Sequence, residues 1–253
     1  MFPIRDENPT LRPPIATYAI LGMNIFVWVF VQGLGASEPL GQSICLHGLI
    51  PADLLGTVPV GTQIPLGGGW ACRLDGDSSL NSLFTSMFMH GGWLHITGNM
   101  LFLWVFGDNV EDIMGPGRFV LFYLLCGLAA AGAQMAANPN STTPMVGASG
   151  AIGGVMGAYA ILFPRARVHL LIILFIYVTT ISVPAIFMLG YWFLLQLISG
   201  VGSLGASGGG VAFWAHIGGF VAGVGLVTVF KRPDLIAARK HLTRRPPAKH
   251  NLF

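Results

Sequence analysis

From Val168 to Phe230 the chain carries no Asp, Glu, Lys or Arg. A soluble protein cannot leave so long a stretch without charge, because its surface must be solvated. Across all 253 residues only 9% are charged, against roughly 25% in an average soluble domain. The chain therefore reads as an integral membrane protein. Its 35 glycines suit helices whose backbones approach closely in lipid.

A hydrocarbon core of about 30 Å needs about 20 helical residues. Apolar stretches at 15–34, 94–106 with an outward extension over 84–92, 119–137, 146–163, 183–199 and 211–230 meet that need. This predicts an all-α bundle of six transmembrane helices with a long loop over 36–80 between the first two. The stretch 169–182 is apolar but short, and reads as a buried or surface-lying segment before the fifth span. Residues 200–210 read as a Gly/Ser linker. Twelve of the thirteen basic residues then fall on one face, all but Arg73. The positive-inside rule makes that face cytoplasmic. The expected organisation is a cytoplasmic segment over 1–14, a membrane domain over 15–230 and a basic cytoplasmic tail over 231–253. That tail reads as a topology and anionic-lipid feature rather than a nucleic-acid site. Cys45 and Cys72 flank the long loop, and an oxidising compartment would pair them. Cys126 lies in an apolar span and reads as a small hydrophobe.

Polar residues inside such spans are costly, so they are functional candidates. At 1.5 Å per helical residue, Ser149 and His216 each lie about 22 Å above the cytoplasmic ends of their spans, and His95 about 20 Å. Ser149, Gly153 and Gly157 share one helix face, as do His216, Gly219 and Gly223. Two glycine stripes packed together would bring the serine to the histidine. A serine nucleophile needs a base, which neutral imidazole supplies. The site also needs donors for the oxyanion. His95 and Asn99, one turn apart, and the Ser149 amide can provide them. None of the ten acidic residues lies in spans four to six. A Ser-His dyad is therefore expected, with the histidine held by packing. The bland alternative is that Ser149 bonds back to a carbonyl one turn earlier, with the stripes serving packing alone.

Three motifs in this order resemble the rhomboid intramembrane serine proteases of the bacterial, six-span type. They are His90-Gly-Gly-Trp-Leu-His95-Ile-Thr-Gly-Asn99, Gly147-Ala-Ser149-Gly150 and Ala215-His216-Ile-Gly-Gly219-Phe-Val-Ala-Gly223. Glu111 with Gly115, and Trp192-Phe-Leu-Leu-Gln196 on the proposed gating helix, are similar to the family pattern as well. The resemblance implies Ser149 as nucleophile, His216 as base and His95 and Asn99 on the oxyanion side. His90, Gly147, Gly150, Gly219 and Gly223 are supporting residues. It also implies single-span membrane proteins as substrates, no cofactor or metal, and a bacterial inner membrane with both termini cytoplasmic. Where rhomboids often carry Trp-Arg, this chain has Asn81-Ser82. The competing reading is a non-catalytic rhomboid-like protein that binds membrane clients. A transporter fits poorly, since no acidic relay crosses the spans. A metalloprotease fits poorly too, since His90 and His95 lack the His-Glu-x-x-His spacing.

Overall fold

The computed structural model describes residues 2–67, 70–74, 80–174, 177–203 and 211–243. The protein is mostly helical. Among the described residues, three helices, α6 (Pro116–Ala137), α8 (Ala185–Gly202) and α9 (Phe213–Phe230), are long and apolar enough to cross a membrane by length and composition. Helix α1 (Ile15–Phe26), prolonged by a π-turn over Val27–Val31, and α7 (Ser149–Leu162) are apolar but shorter. Helix α5 (Trp93–Met114) has Asp108, Glu111 and Asp112 in its last two turns. Short helices α2 (Ser37–His47), α3 (Pro51–Leu54) and α4 (Ser82–Thr85) lie between α1 and α5, and α10 (Pro233–Thr243) follows α9. Proline stands at the first position of α6, where its missing N–H removes no helical hydrogen bond.

Two sheets correct the all-α expectation. Strand β1 (Phe2–Asp6) pairs antiparallel with β4 (Arg167–Leu174), which pairs with β5 (Tyr177–Pro184). Within the segment 169–182, the described residues 169–174 and 177–182 are thus two paired strands, and their Ile, Val, Thr and Tyr residues fit the strand preference of β-branched and aromatic side chains. In the long loop, β2 (Gln63–Gly67) pairs with β3 (Trp70–Arg73). Span boundaries shift accordingly. Residues 84–92 do not extend α5, which begins at Trp93 after a short 3₁₀ turn at Ser86–Phe88. Helix α8 starts after Pro184, which precedes its first turn. Of the expected linker, 200–202 end α8, and 204–210 lie outside the described residues.

Cys45 on α2 and Cys72 on β3 form a disulfide. Together with Thr85 Oγ1, which donates to the His47 carbonyl at 2.9 Å, it ties the loop that carries Asn81-Ser82. Gln32, a polar residue at the end of the first apolar stretch, also has a role. The Gln32 side-chain amide donates to the His90 carbonyl and accepts from the His90 N–H, both at 2.8 Å. It pairs with the backbone just before α5 as a neighbouring strand would.

The end of the bundle near Lys231 is tied by charge. The buried Glu111 carboxylate accepts from the Ala16 and Thr17 N–H groups at 3.0 and 2.8 Å and from Thr17 Oγ1 at 2.8 Å. These amides open α1 and lack helical partners. Asp112 accepts from Arg12 Nε at 3.1 Å and from Arg239 Nη1 at 2.5 Å. Arg239 on α10 also donates to Asn8 Oδ1, the Pro9 carbonyl and Asn109 Oδ1 at 2.6–2.9 Å, and it lies 4.9 Å over the Phe163 ring. Its side chain is only 8% exposed. This tail arginine is a structural clamp, not a solvent-facing charge. Arg244, Arg245 and Lys249 lie outside the described residues.

Candidate active site

Helix α7 begins far along its bundle because the backbone before it cannot be helical. Gly147 has φ +126°, a conformation that suits glycine. A Cβ there would also press to 2.6 Å on His95 Nε2. The approach 138–148 is irregular but held: Leu49 bridges Met145, and the Gly147 N–H donates to the Ser86 carbonyl at 2.9 Å. Irregular backbone at membrane depth is tolerated where protein covers it. The result is a 14-residue helix, about 21 Å long, with Ser149 as its first residue.

Helix α9 meets α7 backbone to backbone. A Cβ on Gly219 would fall inside the Gly150 carbonyl, and one on Gly223 inside that of Gly154. The expected stripe of Gly153 and Gly157 faces α9 too, at the His216 and Phe220 carbonyls, and Gly150 and Gly154 widen it. This seam fixes the distance between the two polar residues. His216 Nε2 stands 2.8 Å from Ser149 Oγ. Gln134 on α6 steadies the start of α9, its Oε1 accepting from the Ala215 N–H at 3.3 Å.

The expectation that packing holds the histidine is corrected, since a side chain also takes its second nitrogen. Its Nδ1 is 2.8 Å from Gln196 Oε1 on α8, and the Trp192 ring lies beside it with centroids 5.7 Å apart. With that amide oxygen facing it, Nδ1 is placed to donate, an arrangement that leaves Nε2 to accept from the serine hydroxyl. The second histidine is set the opposite way. The Gly91 N–H donates to His95 Nδ1 at 3.3 Å, which leaves His95 Nε2 as the protonated nitrogen. One ring is thereby arranged as an acceptor and the other as a donor.

Both face one cavity of about 750 Å³, lined among others by His95, Asn99, Gly147, Ser149, Trp192 and His216. Asn99 is 8% exposed, and its amide nitrogen has no partner among the described residues. A buried donor without a partner is costly unless a ligand or water completes it. His90 is fully buried and lines no part of this cavity. Its ring sits edge-on to His95 with centroids 5.2 Å apart, and its backbone is gripped by Gln32. It supports His95 from behind. Among the described residues no cluster of His, Cys, Asp or Glu could hold a metal ion.

Gln196 is the site residue whose contact sequence reasoning missed. The only signal for it was its membership of a family-like pattern on the fifth span. Its bond to His216 depends on how α8 is rotated against α9, which spacing within α8 does not reveal.

The chain is similar to several known proteins. Rhomboid protein 1, mitochondrial, of Saccharomyces cerevisiae is 31% identical over 149 residues, covering 56% of this chain and 40% of that protein. Rhomboid protease GluP of Bacillus subtilis is 36% identical over 136 residues, covering 54% and 26%. Presenilin-associated rhomboid-like protein, mitochondrial, of Mus musculus is 30% identical over 91 residues, covering 35% and 24%. The chain thus matches less than half the length of each of these relatives. Residues 77–233, well over half of the chain, match the model of the Rhomboid domain, and the protein belongs to the rhomboid family.

Proposed function

We propose that this protein is an intramembrane serine endopeptidase that cleaves single-span membrane proteins within or near their membrane segments. Its protease unit is the six-helix region over 15–230, with α1, α5, α6, α7, α8 and α9 as the spans. The segments 1–14 and 231–253 lie on one side of the membrane, the side that carries most of the basic residues. The observation that carries the reading is the 2.8 Å contact of Ser149 Oγ with His216 Nε2 at the wall of a cavity shared with two further donors.

In this mechanism Ser149 Oγ attacks the substrate carbonyl carbon while its proton passes to His216 Nε2. Negative charge collects on the carbonyl oxygen. His95 Nε2–H, the Asn99 amide and the Ser149 backbone N–H, free at the start of α7, are the donors placed to receive it. Collapse of the intermediate breaks the C–N bond, and the imidazolium gives its proton to the departing amine. A water then repeats the attack on the acyl-enzyme, with His216 as base, and releases the new carboxylate and the serine.

The protein named Rhomboid protease GluP supports proteolysis as the activity. Two of the three relatives named above are mitochondrial, so they do not support the bacterial inner membrane expected from sequence. The reading assigns a multi-pass membrane location alone.

Purified protein in detergent, treated with a fluorophosphonate probe, should label at Ser149. Labelling should vanish in Ser149→Ala and His216→Ala, together with cleavage of a model single-span substrate. Folded wild-type protein that neither labels nor cleaves would turn the conclusion to the client-binding alternative, under which Ser149→Ala leaves binding unchanged.

A further inference from the structure

We propose that Gln196 is a positioning residue for the base, holding His216 in the one tautomer that can take the Ser149 proton. The inference rests on the protease reading for its catalytic meaning. Its structural content is independent of that reading.

The base needs an orienting partner because imidazole offers two nitrogens and only one arrangement serves. With the proton on Nδ1, Nε2 has a lone pair for the serine hydroxyl. With the proton on Nε2, the ring would point a donor at a donor. Which form persists is set by the hydrogen bond at the other nitrogen. Gln196 Oε1, 2.8 Å from Nδ1, fixes the productive form. Loss of the correct tautomer is one of the most damaging lesions known for Ser-His chemistry.

A neutral amide suits this location. A carboxylate at the same place would be a buried charge with a heavy desolvation cost. The amide supplies direction without that cost, and α7, α8 and α9 contain no acidic residue. The ring is gripped on two sides by one helix, since Trp192 and Gln196 are four residues apart and share a face of α8. Trp192 covers the ring and Gln196 takes its edge. The groups facing His216 are few. Ser149 stands on α7, Gln196 and Trp192 on α8, and His95 on α5 is the titratable group across the cavity. Base and orienting partner sit on different helices, so the tautomer depends on α8 being docked against α9.

The test uses the full chain in phospholipid vesicles with a model single-span substrate, comparing wild type, Gln196→Leu and Gln196→Glu. Histidine-labelled ¹⁵N spectra report the His216 tautomer, and thermal melting verifies that each variant is folded. Wild type should show Nδ1–H. Gln196→Leu should lose that signature and fall at least about 10-fold in kcat with KM unchanged, the scale seen when the partner orienting a metal-ligating histidine is removed. Gln196→Glu can still accept the Nδ1 proton, so it should keep the tautomer and recover most of kcat. A folded Gln196→Leu with wild-type kcat and wild-type tautomer would overturn the proposal. Equal losses in both variants with unchanged spectra would do the same, reducing Gln196 to packing. The spectra judge Gln196 even where the protein does not cleave. Failure of the positioning role is therefore distinct from failure of the protease reading, which fluorophosphonate labelling of wild type decides.

Discussion

Helix α9 presents two unlike faces. Towards α7 it has Gly219 and Gly223, and the two backbones touch so closely that no side chain fits between them. Towards α8 it offers side chains: Phe220 stacks on Phe193 at 4.6 Å between centroids, and His216 meets Trp192 and Gln196. Only 22% of the apolar window of α8 is buried, against 39% in α6 and α9. In lipid an outward Leu or Phe carries no penalty, so helix association must come from close packing and interhelical hydrogen bonds. The α7 face uses the first and the α8 face leans on the second. Ser149 thus sits across a rigid seam from His216, and Gln196, the partner proposed to orient that ring, sits across a softer one.

The contrast can be broken most forcefully at Gly223. Gly223→Val would drive a branched side chain into the Gly154 backbone, which cannot move without parting α7 from α9. Backbone clashes of this kind exceed the usual overpacking cost of about 1–3 kcal/mol. The expected result is about 4 kcal/mol or more of destabilisation, an exceptional value for one substitution. Thermal or SDS unfolding would measure it. A small effect there would mean that the seam yields, and that the Ser149–His216 distance has some other cause.

A second substitution tests whether the seam stands without its clamp. Arg239 ties α10 to Asp112 of α5 and to the segment at Asn8 and Pro9. Removing one partner of a buried ion pair commonly costs about 3–5 kcal/mol. Asp112 keeps Arg12, so Arg239→Met should cost the lower figure, about 3 kcal/mol, seen as a lowered unfolding midpoint. If labelling of Ser149 persists in the folded fraction, the seam sets the site by itself.

These features differ in how legible they were. The match of Ser149 with His216 could be read because it rests on two local facts, helical rise and glycine spacing. The Cys45–Cys72 pairing was legible only on condition of an oxidising compartment, because sequence does not give the distance between the two residues. The pairing of β4 and β5 was obscured because Leu170–Leu174 is an unbroken apolar run, which hides a period of two, and the other partner β1 lies some 160 residues away in sequence. Arg239 looked like one charge among many in a basic tail. Its burial depends on α10 folding back over Phe163 and the first residues of the chain, a tertiary event that no local pattern announces.

The far end of α7 supplies a pH-dependent probe. Tyr159 on α7 donates to the Asp6 carboxylate, and Asn109 Nδ2 approaches it at 3.3 Å. Burial pushes the Asp6 carboxyl up from 3.8 to about 6, against the lowering effect of Tyr159. A raised acid binds its proton more tightly in the folded state, so stability should be highest below about pH 4 for this group and fall as pH rises through 6. The loss is on the order of 1–2 kcal/mol after allowance for solvent screening. Asp6→Asn should flatten that window in unfolding curves taken between pH 4 and 7. Because the change lies at the opposite end of α7, the fluorophosphonate labelling of Ser149 should not follow it.

The smallest expected effect sharpens the comparison most. Gly225 lies on α9 two residues beyond Gly223, yet a Cβ added there meets no atom within 4 Å. Gly225→Ala removes backbone freedom from a helix interior, which favours the helix by about 0.5–1 kcal/mol, and introduces no clash. It should leave stability unchanged or slightly raised, with substrate cleavage at the wild-type rate. Two glycines half a turn apart would then differ by several kcal/mol in what they tolerate. Equal tolerance at both would show that glycine serves α9 through general flexibility, and the close seam with α7 would lose its claim to set the distance between Ser149 and His216.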